Sequence, residues 1–172
     1  VVQADGSIDV REYERFRIAS TSMPAGAEAG QGFRVLARYI FGGNQASESM
    51  AMTAPVIQQY GPGQGLPTAS AETEGGSRMA FVMAADRPMD QLPTPNSDAV
   101  ELSELNLGLM ASIRFSGWGR MARFRKAETK LRDWLERNEF SVRGQPLYAQ
   151  YNSPSAFPLL RRNEVLLPIS PR

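Results

Sequence analysis

A chain of 172 residues, 42% hydrophobic and 22% charged, has the make-up of an ordinary folded protein and enough length for one domain with a real core. Its net charge of +1 argues against bulk attraction to nucleic acid, and its apolar runs are only a handful of residues long, too short to span a membrane. With no histidine and no cysteine, it excludes Ser-His-Asp and Cys-His catalysis, disulfides, zinc sites built on imidazole or thiolate, and histidine-ligated haem.

Residues 8–25 alternate apolar and polar side chains, the signature of half-buried strands. A helix is predicted over 28–41, where Phe33, Leu36, Ala37 and Ile40 follow the i, i+3, i+4, i+7 spacing of a buried face, widened by Val35 and Tyr39. Gly42-Gly43-Asn44 supplies residues that tolerate the left-handed conformation needed to stop it. Strands are predicted next at 50–60 and 78–85, with Pro55 placing the first at a sheet edge or bulge. Between them Gly61–Ser77, with five glycines and two prolines, reads as a mobile hairpin loop. Pro88, Pro93 and Pro95 make 86–97 an extended connector.

The pattern then starts again. Residues 100–117 can be laid on 8–25, so that Ile8 meets Val100, Val10 meets Leu102, Tyr13 meets Leu105 and Ala19 meets Ala111. A second helix is predicted over 119–138, with Phe124, Ala127, Leu131, Trp134 and Leu135 on its core side and the i, i+4 pairs Glu128–Arg132 and Asp133–Arg137 on its wet side. Strands at 146–152 and 163–169 complete it. The plan is ββαββ twice: a pseudo-twofold duplicated α+β protein, one domain over 1–172 with repeats at 8–85 and 100–169.

Arginine outnumbers lysine, Lys126 and Lys130 being the only two lysines among 19 basic residues. A GC-rich genome is a plainer source of that bias than selection for anion binding. The chain begins at Val1 rather than methionine, which favours an exported or membrane-tethered precursor whose N-terminal segment has been removed.

Three groups of residues could carry chemistry. Arg34, Arg38 and Phe41 fall at i, i+4, i+7, on a strip about 100° from the core face of the first helix. Two guanidinium forks beside an aromatic suit a flat apolar molecule that bears carboxylates. The same spacing also describes the solvated side of an amphipathic helix. Met50, Met52, Met79, Met83, Met110 and Met121 could ligate iron, although core packing is the simpler role for each. Glu12, Glu14, Glu101, Glu104 and Glu164 could serve as acid or base, but nothing in the sequence fixes their separation.

Several longer stretches carry a resemblance. Residues 36–57 read L-A-R-Y-I-F-G-G-N-Q-A-S-E-S-M-A-M-T-A-P-V-I, and 148–169 read Y-A-Q-Y-N-S-P-S-A-F-P-L-L-R-R-N-E-V-L-L-P-I. With V-R-E-Y at 10–13, L-P-T-P-N at 92–96 and R-F-S-G at 114–117, the chain resembles the SOUL haem-binding protein family in the right order from Val10 to Ile169. The resemblance implies a distorted antiparallel β-barrel of two ββαββ repeats with two outer helices, an architecture shared with effector-binding domains of bacterial drug-responsive regulators. It also implies a shallow tetrapyrrole pocket along the first helix, with basic residues near the propionates. The matching positions are Phe33, Leu36, Ala37, Arg38 and Phe41, with Arg34 as a neighbour. Some members carry a histidine just after the first-strand arginine as a proposed iron ligand; here Glu12 follows Arg11.

In drug-binding relatives of that architecture a cleft glutamate attracts cationic ligands, and Glu164 is the candidate here; the plainer reading is an ion pair with Arg161 or Arg162. The function expected is reversible, non-enzymatic buffering or transport of haem or another porphyrin, with no histidine ligand and no metal site of the chain's own. The partner is then a small hydrophobic ligand rather than nucleic acid, and a monomer is expected. The alternatives are a binding module for other hydrophobic or cationic small molecules, or a small glutamate-based hydrolase.

Overall fold

The computed structural model describes residues 1–61, 66, 76–152 and 157–172. The stretch predicted as a hairpin loop between Gly61 and Ser77 lies almost wholly outside the described residues. Strands in chain order are β1 Gln3–Asp5, β2 Ile8–Tyr13, β3 Phe16–Met23, β4 Val56–Tyr60, β5 Ser77–Val82, β6 Glu101–Leu105, β7 Gly108–Ser116, β8 Phe140–Val142, β9 Leu147–Gln150 and β10 Arg162–Pro171. Two helices, α1 Ala29–Ile40 and α2 Met121–Arg137, follow β3 and β7. The chain is α+β, as the alternation of periods requires, and it divides into two compact units.

One unit is Arg15–Leu105. Its antiparallel strands run in the order β4-β5-β3-β6. α1 packs on one face, where Leu36, Tyr39 and Ile40 join Ala19, Met23, Met79, Phe81 and Met83 in a core. Four methionines of that core are buried, consistent with adaptable packing rather than ligation. Tyr39 is deeper than its place at the edge of the predicted face suggests, at 1% exposure. Its hydroxyl donates to the Pro93 carbonyl at 2.9 Å, so burial leaves no polar atom stranded. That burial pushes its pKa up to about 12. The helix stops as predicted: Gly42 has φ +107°, and the Gly43 amide donates to the Arg38 carbonyl at 2.8 Å. A Cβ on Gly43 would lie 2.6 Å from that carbonyl oxygen, so only glycine lets the chain turn back this closely. The strand predicted over 50–60 begins only at Val56, so Pro55 precedes β4 and takes no place in its ladder.

The other unit joins Val1–Glu14 to Asn106–Arg172. Its order is β1-β2-β7-β10-β9, with β8 also on β10, and every pairing is antiparallel. β9-β10-β7-β2 repeats β4-β5-β3-β6 strand for strand, with β2 to β6 and β3 to β7 at the offset seen in the sequence. Each repeat's first strand pairs with the other repeat's second: β2 lies on β7 and β6 on β3. The core of α2 is the predicted one, with Phe124, Ala127, Leu131, Trp134 and Leu135 all buried against Ile8, Val10, Ile113 and Val165. On its wet side Glu128 accepts from Arg132 at 2.8 Å, as predicted. Arg137 differs: it donates to the main-chain carbonyl of Asp133 instead of its carboxylate. β1 and β8 were not predicted; they are three residues each, and β1 is tied down where the Trp134 indole donates to Asp5 at 2.8 Å.

Candidate functional site

The residues predicted as the ligand site all lie on α1 or just past its end, but they separate by depth. Leu36 is fully buried and belongs to the core. Phe33 and Ala37 are half-buried, the Phe33 ring resting 5.3 Å from that of Phe81. Arg34 and Arg38 are exposed, and Phe41 keeps 63% of its surface open. No carboxylate pairs with either guanidinium among the described residues. The outer side of α1 therefore presents two unneutralised forks and an open aromatic ring, bordered by the shallower apolar residues Phe33 and Ala37. Helical spacing produces this arrangement, because positions three, four and seven apart share one side.

The carboxylate candidate is in the other unit and is closed. Glu164 on β10 has no exposed side-chain surface. One of its oxygens takes the Arg162 Nε at 2.9 Å; the other takes the Tyr151 hydroxyl at 2.9 Å and the Arg11 guanidinium at 3.4 Å. Arg11 also pairs with Asp9 and donates to the Tyr13 hydroxyl, while the Arg162 guanidinium lies 4.5 Å over the Tyr151 ring. Alternation along β2 puts Asp9, Arg11 and Tyr13 on the side opposite the α2 core, and so meets Glu164 across the sheet. Burial, then the nearby Glu164 charge, raises the Tyr151 pKa, which keeps this hydroxyl a donor. Burial raises that of Tyr13 as well. Burial works against the Arg11 charge, but its bonds to Asp9 and Tyr13 and the field of Glu164 outweigh it and hold the guanidinium firmly charged.

The expected ion pair of Glu164 with Arg162 is thus present. Arg11, Tyr13 and Tyr151 around it were not anticipated as partners, although V-R-E-Y placed the first two on one side of a strand. Among the described residues, no group of three or more acidic side chains could hold a metal ion. No described helix is long and apolar enough to cross a membrane.

Comparison with known proteins bears on the fold and the sequence family. An uncharacterized conserved protein from Listeria innocua shares the fold with a TM-score of 0.70 at 9% identity, over 95% of this chain and 92% of that one. A hydrolase from Listeria innocua matches with a TM-score of 0.63 at 8% identity over the same shares. The EcmrR C-terminal domain matches with a TM-score of 0.67 at 10% identity, over 96% of this chain and 98% of that one. At such identities the likeness is one of fold. No curated protein matches the sequence significantly. The sequence family, in contrast, is decided across nearly the whole chain: residues 1–168 match the SOUL heme-binding protein family, and the chain belongs to it.

Proposed function

We propose that this chain is a non-enzymatic binding protein that holds haem or another tetrapyrrole reversibly on the outer side of α1. The observation that carries the reading is the open strip of Arg34, Arg38 and Phe41, two unpaired guanidinium groups beside a ring with 63% of its surface exposed. A tetrapyrrole offers the complement: a flat apolar body for Phe41, Phe33 and Ala37, and propionates for the two arginine forks. The donor set fits the organic part of haem and supplies no imidazole or thiolate for its iron. Bound haem would bring a redox-active iron, while the residues of α1 bind and orient the macrocycle and do no more.

A hydrolytic reading has less support. Two neighbours in fold are described as hydrolases, but a general base needs a free carboxylate, and both oxygens of Glu164 are engaged. The same engagement leaves Glu164 poorly suited to attract a cationic ligand.

Replacing both arginines tests the site. Arg34→Ala/Arg38→Ala removes two charge-assisted contacts, each worth on the order of 1 kcal/mol at an exposed site. Porphyrin affinity should fall about tenfold to a hundredfold. Thermal stability should stay nearly constant, since exposed side chains contribute within about 0.5 kcal/mol. Titration of wild type and variant with a porphyrin, followed by absorbance, reads the affinity. Equal affinities would move the site away from α1.

A further inference from the structure

We propose that a second groove, between α2 and β7, binds phosphate monoesters of small organic groups. The groove has a volume of about 350 Å³, enough for a small ligand. Ile113, Phe115 and Ala127 give it an apolar floor. Arg123, Lys126 and Lys130 from α2 stand over that floor, and all three are exposed; Arg114 borders the groove from β7, but strand alternation carries its side chain to the Glu164 face of the sheet. The three helical members fall at i, i+3, i+7, one stripe of the helix.

The groove carries positive charge that no lining carboxylate offsets. No carboxylate lines it, and none of its three helical cations has an ion-pair partner among the described residues. On the helix, Asp133 lies three positions past Lys130 but forms no ion pair with it among the described residues, and Glu128 is committed to Arg132 and to the Tyr148 hydroxyl. Lys126 and Lys130 are a like-charged i, i+4 pair, which is unfavourable without an anion between them. In a chain of net charge +1, three such groups from one helix stripe beside one concavity suit a multiply charged anion.

Composition adds an independent observation. Genome bias accounts for a chain rich in arginine, yet it does not account for both lysines of the chain lining one groove. Ammonium groups act as compact point charges with three donors, and guanidinium groups add forked ones. A phosphate monoester carries close to two charges at neutral pH and three acceptor oxygens, so it can use donors arriving from several sides. Carboxylates offer fewer acceptors and half the charge. The apolar floor then selects an ester over free phosphate, with the Phe115 ring, already 5.8 Å beneath the Arg123 guanidinium, placed to contact the organic group.

The test is calorimetric titration of the full chain with phenyl phosphate, with inorganic phosphate and vesicles carrying phosphatidic acid as comparisons. Phenyl phosphate should bind one to one, several-fold more tightly than inorganic phosphate. Lys126→Ala/Lys130→Ala should weaken it by about tenfold or more, and Lys126→Arg/Lys130→Arg should restore most of the affinity. Arg34→Ala/Arg38→Ala should leave it unchanged, which separates this site from the α1 strip. Circular dichroism checks that the exposed lysine replacements leave the fold intact. Undiminished affinity in the double alanine variant would overturn the site. Equal affinity for inorganic phosphate would overturn the ester assignment, and binding to vesicles alone would overturn a small soluble ligand.

Discussion

Arg162→Ala is expected to destabilise the chain by about 3 kcal/mol, far more than loss of a half-exposed arginine usually costs. The reason lies in its partner. Arg162 retains 40% side-chain exposure, but the Glu164 carboxylate has none, and Arg162 answers one of its two oxygens alone. Removing the guanidinium strands a buried charge, and breaking such a pair costs about 3–5 kcal/mol when nothing else compensates. Here Tyr151 and Arg11 still hold the second oxygen, which places the effect near the lower end. Adding Glu164→Gln should recover part of the loss, because a neutral amide tolerates burial better than an unpaired carboxylate. Denaturant unfolding of the single and double variants measures both. A single variant within about 0.5 kcal/mol of wild type, the range of ordinary surface changes, would mean that Glu164 is not stranded.

Leu36→Ala should cost about 3–4 kcal/mol by opening a cavity in a core where the side chain has no exposure. Its neighbours in that core, Met23, Phe81 and Tyr39, belong to elements that cannot all close on the space. Affinity should not follow stability. Leu36 faces inward, so porphyrin binding at a temperature where the variant is folded should be nearly unchanged, whereas the arginine pair on the outer strip changes binding and spares stability. Thermal unfolding and ligand titration of the same two samples decide the matter. A Leu36→Ala protein as stable as wild type would contradict the packing of α1.

Helix α2 was almost fully legible in the sequence, because its apolar residues recur at helical spacing over 17 residues with charges on every other side. α1 was legible in extent but less so in depth. Tyr39 is drawn inward by the Pro93 carbonyl, 54 positions away, and no local pattern records such a partner. β1 and β8 are too short for a period of two to show. The repeat was visible in alternation alone, yet its exchange of first strands was not, since periodicity marks a strand and says nothing about which strand it joins. The α1 strip was found because its three residues lie within one helical window. Neither the Glu164 network nor the α2 groove could be found that way. The first gathers β2 and β10 with Tyr151, the residue just past β9, and the second pairs a strand with a helix, although the lysine pair was a signal that could have been followed.

Parallel titration of the purified, tag-free protein with haemin and with the corresponding metal-free porphyrin tests the binding account most directly. An affinity tag must be absent, because its histidines would bind iron that the chain itself has no imidazole to hold. If the α1 strip holds the macrocycle by its face and its propionates, the two ligands should bind with similar affinity, and the haemin spectrum should lack histidine coordination. Binding of haemin with no binding of the metal-free form would contradict the account, because iron ligation would then supply the affinity assigned here to Arg34, Arg38 and Phe41.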